Sequence, residues 1–247
     1  MSDKFASMFP WPEEDFSKYG EVDVKKLGKV QHFVGKVMDR NWVSIPHVTH
    51  HDDIDITELE AKRKAWNAAH SEQKRSILPA LIKASVEVLK VYPQFNCSLS
   101  ADGTTVTQKK YYHIGVAVDV AGGLLVPVIR DCDSRSVDDI STDVADKSAR
   151  ARAAGLPMAE MSGGCFTITS LGHIGGTGFT PIINAPEVAI LGVCKARPVF
   201  VPNEYSQPVA RTLLPLSLSY DHRVINGADA ARFMLAFKEA IDKFEFA

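Results

Sequence analysis

Apolar residues at Leu27, Val30, Val34 and Val37 recur at helical spacing and predict one amphipathic helix. It must stop before Ile45-Pro46, because the residue ahead of a proline is pushed towards extended backbone. The next segment, HVTHHDDIDI, reads as a strand. Thr57-Glu58-Leu59-Glu60 has the Thr-x-x-Glu spacing of a capping box, and Leu59, Trp66 and Ala69 continue a helical stripe behind it. A further helix follows Ser76, with Ile77, Leu81, Ile82, Val86 and Leu89 on its apolar side. Pro79 sits in its first turn, where a missing N–H costs little.

Residues 95–99, 106–108, 111–120 and 124–128 read as strands, punctuated by turns at Asp102-Gly103 and Gly122-Gly123. Ser136 opens another helix, which Gly155 and Pro157 close. Residues 165–170, 188–194 and 213–220 are strands, several too apolar to have a wet face. The chain ends in a helix from about Ala228, expected to be buried through Phe233, Phe237, Ile241 and Phe244. Strands and helices come in blocks and do not strictly alternate. The expected fold is therefore α+β, a two-layer sandwich of a mixed β-sheet with helices packed on it. Residues 1–20 mix Pro10, Pro12, acids and aromatics without period, which reads as a linker remnant or an N-terminal arm. Its Phe9, Trp11 and Phe16 need a surface to lie on. Residues 21–247 are expected to form a single domain.

Composition narrows the function. A formal charge of -2 leaves no basic excess to hold a phosphate backbone, so nucleic acid is not an expected partner. Cys97, Cys132, Cys165 and Cys194 are widely spaced, as free thiols in a reducing compartment would be. The longest apolar stretch, 114–129, is broken by Asp119, Gly122, Gly123 and Pro127 and is too short for a membrane span. His47, His50 and His51, followed by Asp52, Asp53 and Asp55, have metal-binding chemistry. Neighbours in a strand face opposite ways, however, so no metal site is expected there. The glycine-rich segment Gly172-His173-Ile174-Gly175-Gly176-Thr177-Gly178 lacks phosphate-loop spacing and reads as a flexible turn.

Two segments place reactive side chains where they can act. Ser219-Tyr220-Asp221-His222-Arg223-Val224-Ile225-Asn226-Gly227 puts a histidine between a buried strand and the cap of a helix. Such a junction holds a side chain rigidly and leaves its tip accessible. A histidine of ordinary pKa, about 6.5, accepts a proton at pH 7. The plainer reading of the spacing alone is a structural histidine at a strand end. In Phe166-Thr167-Ile168-Thr169-Ser170-Leu171-Gly172 a strand delivers a hydroxyl to a glycine turn, where a serine that only caps the turn is the plainer alternative.

His222-Arg223-Val224-Ile225-Asn226-Gly227 is similar to the His-Arg-x-x-Asp-Gly signature of the dihydrolipoamide acyltransferases of 2-oxo acid dehydrogenase complexes, whose smaller relative is chloramphenicol acetyltransferase. Pro46-His47-Val48-Thr49, Ile56-Thr57-Glu58-Leu59, His113-Ile114-Gly115-Val116-Ala117-Val118-Asp119, Gly123-Leu124-Leu125-Val126-Pro127-Val128-Ile129, Gly164-Cys165-Phe166-Thr167-Ile168 and Asn184-Ala185-Pro186-Glu187-Val188-Ala189-Ile190-Leu191-Gly192 resemble further landmarks, in family order. The resemblance covers roughly residues 20–247.

The resemblance implies transfer of an acyl group between dihydrolipoamide and coenzyme A. His222 is the implied general base and Ser170 the donor to the oxyanion. The family aspartate four residues after the histidine is Asn226 here. An amide carries no charge, so a positioning role is assigned to it. Asp119, Leu124 and Phe179 are assigned to the lipoamide side from flanking motifs. Asn184-Ala185-Pro186-Glu187 and Val224-Ile225-Asn226-Gly227-Ala228 look like the acetyl branch, that of the pyruvate dehydrogenase complex. Succinyl-type members tend to carry Pro-Pro-Gln and Asp-Gly-Arg versions there. The implied acyl carriers are coenzyme A and a lipoyl group on a separate domain, which is not expected in this chain, and no metal is expected. The chain is thus expected to be a core taken from a longer protein, in the bacterial cytoplasm or the mitochondrial matrix. Implied partners are copies of itself, as a homotrimer and possibly a cubic or icosahedral cage, together with lipoyl domains and the E1 and E3 components. His222 and Ser170 are expected to meet across a subunit interface. Lys62, Arg63 and Lys64 have the charge to meet coenzyme A phosphates, but such a run is usually a solvated helix face. The alternatives are a non-catalytic structural core subunit, a transferase for branched-chain or succinyl groups, and an antibiotic O-acetyltransferase.

Overall fold

The computed structural model describes residues 12–246. The chain runs through α1 (Lys29–Ser44), β1 (His47–Asp55), α2 (Thr57–Ala69) and α3 (Leu78–Val91) before a series of short strands. These are β2 (Cys97–Leu99), β3 (Val106–Gln108), β4 (Ile114–Val116), β5 (Val118–Val120), β6 (Gly123–Leu125) and β7 (Val128–Ile129). Then come α4 (Val137–Ala154), α5 (Met158–Met161), β8 (Phe166–Ser170), β9 (Ala189–Val193), β10 (Arg197–Pro202), β11 (Pro208–Asp221) and α6 (Gly227–Asp242).

The main sheet has the order β1-β11-β9-β8-β4-β7, with β10 paired to the free half of β11. Strand β8 lies parallel to both β4 and β9, while the other pairs are antiparallel, so the sheet is mixed as expected. Helices α3 and α6 pack on each other and close the core against one face. Phe233 of α6 sits at its centre, 4.3 Å from the Phe95 ring and 5.8 Å from the Phe166 ring. Phe237 and Ile241, one and two turns on, extend that buried stripe. The α+β two-layer sandwich is therefore the observed architecture.

Four local expectations need correction. The strand expected over 111–120 divides into β4 and β5, because the Ala117 N–H turns to the Ile168 carbonyl and β5 then pairs only with β6. Strand 124–128 likewise breaks into β6 and β7 at Pro127, which has no N–H to donate. The Thr-x-x-Glu box does not form: Asp55 accepts both the Thr57 N–H (2.9 Å) and its hydroxyl (2.5 Å), and Glu60 pairs with Arg63 instead. The α1 helix exists, but Leu27 and Val30 of its expected buried face are exposed. Its one buried residue is Asn41, donating to the Ile183 carbonyl. The hairpin of β10 and the first half of β11 was not expected, because Pro198, Pro202 and Pro208 interrupt the run, although its positions alternate exposed and half-buried as an edge strand's do.

At the N-terminus, Phe9 and Trp11 lie outside the described residues. Phe16 is exposed on a single 3-10 turn. At the other end Arg75, buried, stacks on Trp66 at 3.5 Å and donates to the Phe246 carbonyl and the Asp138 carboxylate. It ties α2, α4 and the C-terminal segment together.

Candidate active site

His222 stands one residue beyond β11, on a turn that the sequence builds in two ways. The Asp221 carbonyl accepts both the Val224 and Ile225 N–H groups at 3.0 Å, which ends the strand. Asn226 then starts α6: its side-chain oxygen accepts the Asp229 N–H at 3.0 Å, a helix N-cap. Between them the His222 N–H is fixed on the Pro46 carbonyl at 3.1 Å, and its side chain is exposed. Tyr220 lies nearby, ring centres 6.1 Å apart.

Ser170 ends β8. Its hydroxyl oxygen accepts the Gly172 N–H at 3.3 Å, which leaves the hydroxyl proton free to be donated elsewhere. A side chain at Gly172 would sit tightly against both the Ser170 hydroxyl (3.4 Å) and the Cys194 carbonyl (3.3 Å). Ser170 opens onto a cavity of about 690 Å³, lined also by Asp119, Leu124, Thr169 and Ile174. Of the three residues assigned to the lipoamide side, Asp119 and Leu124 thus share a cavity with Ser170. Phe179 does not: it packs against Gly192 and donates its N–H to Ser217 at 3.3 Å, on a separate open depression beside His51.

Within one chain, Ser170 and His222 are far apart. Ser170 pairs with Val193, and Val193 with Leu216, so Ser170 is level with Leu216. His222 lies six residues further along the chain, which at ~3.3 Å per strand residue is roughly 20 Å away.

The model of the 2-oxoacid dehydrogenases acyltransferase family, catalytic domain, matches residues 19–247. The chain belongs to this family. It is 52% identical over 232 residues to the dihydrolipoyllysine-residue acetyltransferase component of the pyruvate dehydrogenase complex of Pseudomonas aeruginosa, covering 92% of this chain and 42% of that protein. Against the component of the same name from Cupriavidus necator it is 48% identical, covering 96% of this chain and 43% of the relative. The chain therefore spans less than half the length of these curated relatives. Its fold superposes on a crystal structure of Azotobacter vinelandii dihydrolipoamide acetyltransferase with a TM-score of 0.91 at 47% identity, covering 95% and 97% of the two chains. The cubic core of a pyruvate dehydrogenase multienzyme complex matches equally well. Chloramphenicol acetyltransferase shares the fold, with a TM-score of 0.57 over 83% of this chain and 94% of that one, at 12% identity.

In this acyltransferase-family chain the four cysteines are buried, and burial pushes the Cys97 and Cys132 thiols up to about 11. They are poor nucleophiles at neutral pH. His47 and His51 are engaged in the fold: His47 holds the Ile183 N–H at 3.0 Å, and His51 meets the Ser217 hydroxyl at 2.9 Å. Lys62 and Arg63 are paired with Glu245 and Glu60. Two buried acids escaped sequence reasoning. Glu187 is buried, receives the Thr167 hydroxyl, and is pushed up to about 7 by desolvation. Asp221 is buried next to His222. An acid at or just before the end of an apolar strand was the available signal for both.

Proposed function

We propose that this chain is an acyltransferase core that moves an acetyl group between dihydrolipoamide and coenzyme A, with His222 as general base and Ser170 as oxyanion donor. The observations that carry the reading are an exposed histidine on a turn whose backbone is hydrogen-bonded, and a serine whose proton is unspent at the wall of a large cavity. A thiol of ordinary pKa, about 8.5, is only a few per cent thiolate at pH 7. His222 takes the proton of the attacking thiol, whose sulfur adds to the thioester carbonyl. Ser170 donates to the resulting oxyanion. Collapse expels the second sulfur, which takes the proton back from His222. The acetyl group stays on substrate sulfur throughout, in keeping with buried, protonated cysteines. General-base catalysis of this kind typically contributes about 10²–10⁴-fold, and one oxyanion donor about 10²–10³-fold.

Support comes also from the Azotobacter vinelandii enzyme, where a serine, a histidine and an asparagine were investigated in the catalytic mechanism. They stand at the same spacings along that chain as Ser170, His222 and Asn226 do here. Asn226 positions the turn through its cap. Asp119 and Leu124 line the lipoamide side, with Phe179 outside their cavity.

The roughly 20 Å between Ser170 and His222 supports a site assembled from two copies, in a homotrimer. Likeness to a cubic core supports further assembly into a cage of the pyruvate dehydrogenase type, with lipoyl domains and E1 and E3 components as partners. Residues 21–247 are assigned to the catalytic core and 1–20 to a linker remnant or an N-terminal arm, and the family match from residue 19 supports that division. Four unpaired, buried thiols support a reducing compartment, the bacterial cytoplasm or the mitochondrial matrix.

The test is acyl transfer from acetyl-, succinyl- and isobutyryl-coenzyme A to free dihydrolipoamide. The expected result is a preference for acetyl and loss of at least about 100-fold in kcat with His222→Ala. No transfer from any donor by an intact oligomer would leave only a structural core subunit. Preference for another donor would correct the acyl group.

A further inference from the structure

The turn that carries His222 is held by an ion pair between a buried carboxylate and a partly exposed guanidinium, for which the transfer chemistry has no use. Asp221, the last residue of β11, has a side chain only 2% exposed. Its carboxylate receives the Arg223 guanidinium through Nη2 at 2.6 Å and Nε at 2.9 Å, and the Arg223 backbone N–H at 3.0 Å. The Asp221 N–H donates to the Val188 carbonyl at 2.8 Å. With His222 on Pro46, and Val224 and Ile225 on the Asp221 carbonyl, each backbone N–H from 221 to 225 is committed.

A buried carboxylate is costly unless it is paired and hydrogen-bonded, and the planar guanidinium fork satisfies that demand in a fixed orientation. Neither residue is needed to begin α6, because Asn226 supplies that cap. The pair joins the residues on either side of His222, fixing the backbone on both flanks.

We propose that Asp221 and Arg223 act as one positioning unit for His222, holding its imidazole in reaction geometry. The inference rests on His222 being the base. Misplacement of a catalytic group by about 1 Å can cost on the order of 100-fold in rate.

The test uses the oligomeric protein with acetyl-coenzyme A and dihydrolipoamide, comparing Asp221→Asn, Arg223→Gln, Arg223→Lys, the Asp221→Asn/Arg223→Gln double variant and His222→Ala. Each uncharged single variant should lower kcat about tenfold or more, with both KM values within about twofold. The double variant should be no worse than the poorer single one, and Arg223→Lys should recover part of the loss. Arg223 is 43% exposed, so its variants keep the test open if Asp221→Asn fails to fold. Wild-type kcat in a folded Arg223→Gln protein, additive losses in the double variant, or losses confined to KM would overturn the proposal. If His222→Ala is inactive in that same series, the base assignment survives. Activity surviving in His222→Ala would remove both.

Discussion

Thr167 donates its hydroxyl to Glu187 at 2.6 Å in the interior of the sheet, against Gly164, where a side chain would collide with the carboxyl group. Desolvation dominates at this site and raises Glu187 to about 7, outweighing the Thr167 bond and the more distant Lys109. The folded protein therefore holds a proton that the unfolded chain releases near pH ~4.3. Stability contributed by that proton is complete below pH ~4.3 and is lost as pH rises through about 7.

Glu187→Gln keeps an acceptor for Thr167 and removes the titration. Its unfolding temperature should match wild type near pH 4.5 and exceed it by several degrees at pH 8. Parallel profiles from pH 4.5 to 8 would show that Glu187 is not titrating in this range.

Asn226 caps α6 with the same geometry an aspartate would use. Asn226→Asp should leave turnover within a few-fold of wild type. Asn226→Ala should cost about 1 kcal/mol of stability and lower kcat, because the turn behind His222 loses its anchor. Steady-state kinetics and denaturant unfolding separate the two effects. Equal, severe losses in both variants would contradict a positioning role.

Arg75 joins α2, α4 and the C-terminal segment through Trp66, Asp138 and the Phe246 carbonyl. Arg75→Ala should destabilise the fold by about 2–3 kcal/mol, from the lost stack and the unpaired carbonyl. Asp138 is 60% exposed, so Asp138→Asn should cost less than about 1 kcal/mol. Urea unfolding of both variants checks the order.

Strands β8, β9 and the second half of β11 were legible from their buried apolar and β-branched positions, α4 from its Ser136 cap and Gly155 stop, and α3 and α6 from their buried apolar stripes. Elements whose limits depend on distant partners were not. The break between β4 and β5 is set by the Ile168 carbonyl, and the failed cap at Thr57 by competition from Asp55. The exposed apolar face of α1 followed the helical period correctly, but periodicity does not say what covers a face. His222 and Ser170 came from the motif resemblance, since spacing alone favours structural roles for both. The charges of Glu187 and Asp221 were visible in the sequence, but their burial depends on strands far apart in the chain.

The central claim is that the working site joins His222 of one copy to Ser170 of another. Inactive His222→Ala and Ser170→Ala proteins, dissociated and reassembled together, test it most directly by acetyl transfer to dihydrolipoamide. Mixed interfaces that regain both groups should restore a fraction of wild-type activity, while each variant reassembled alone stays inactive. No recovery, with subunit exchange verified by native mass spectrometry, would contradict the shared site.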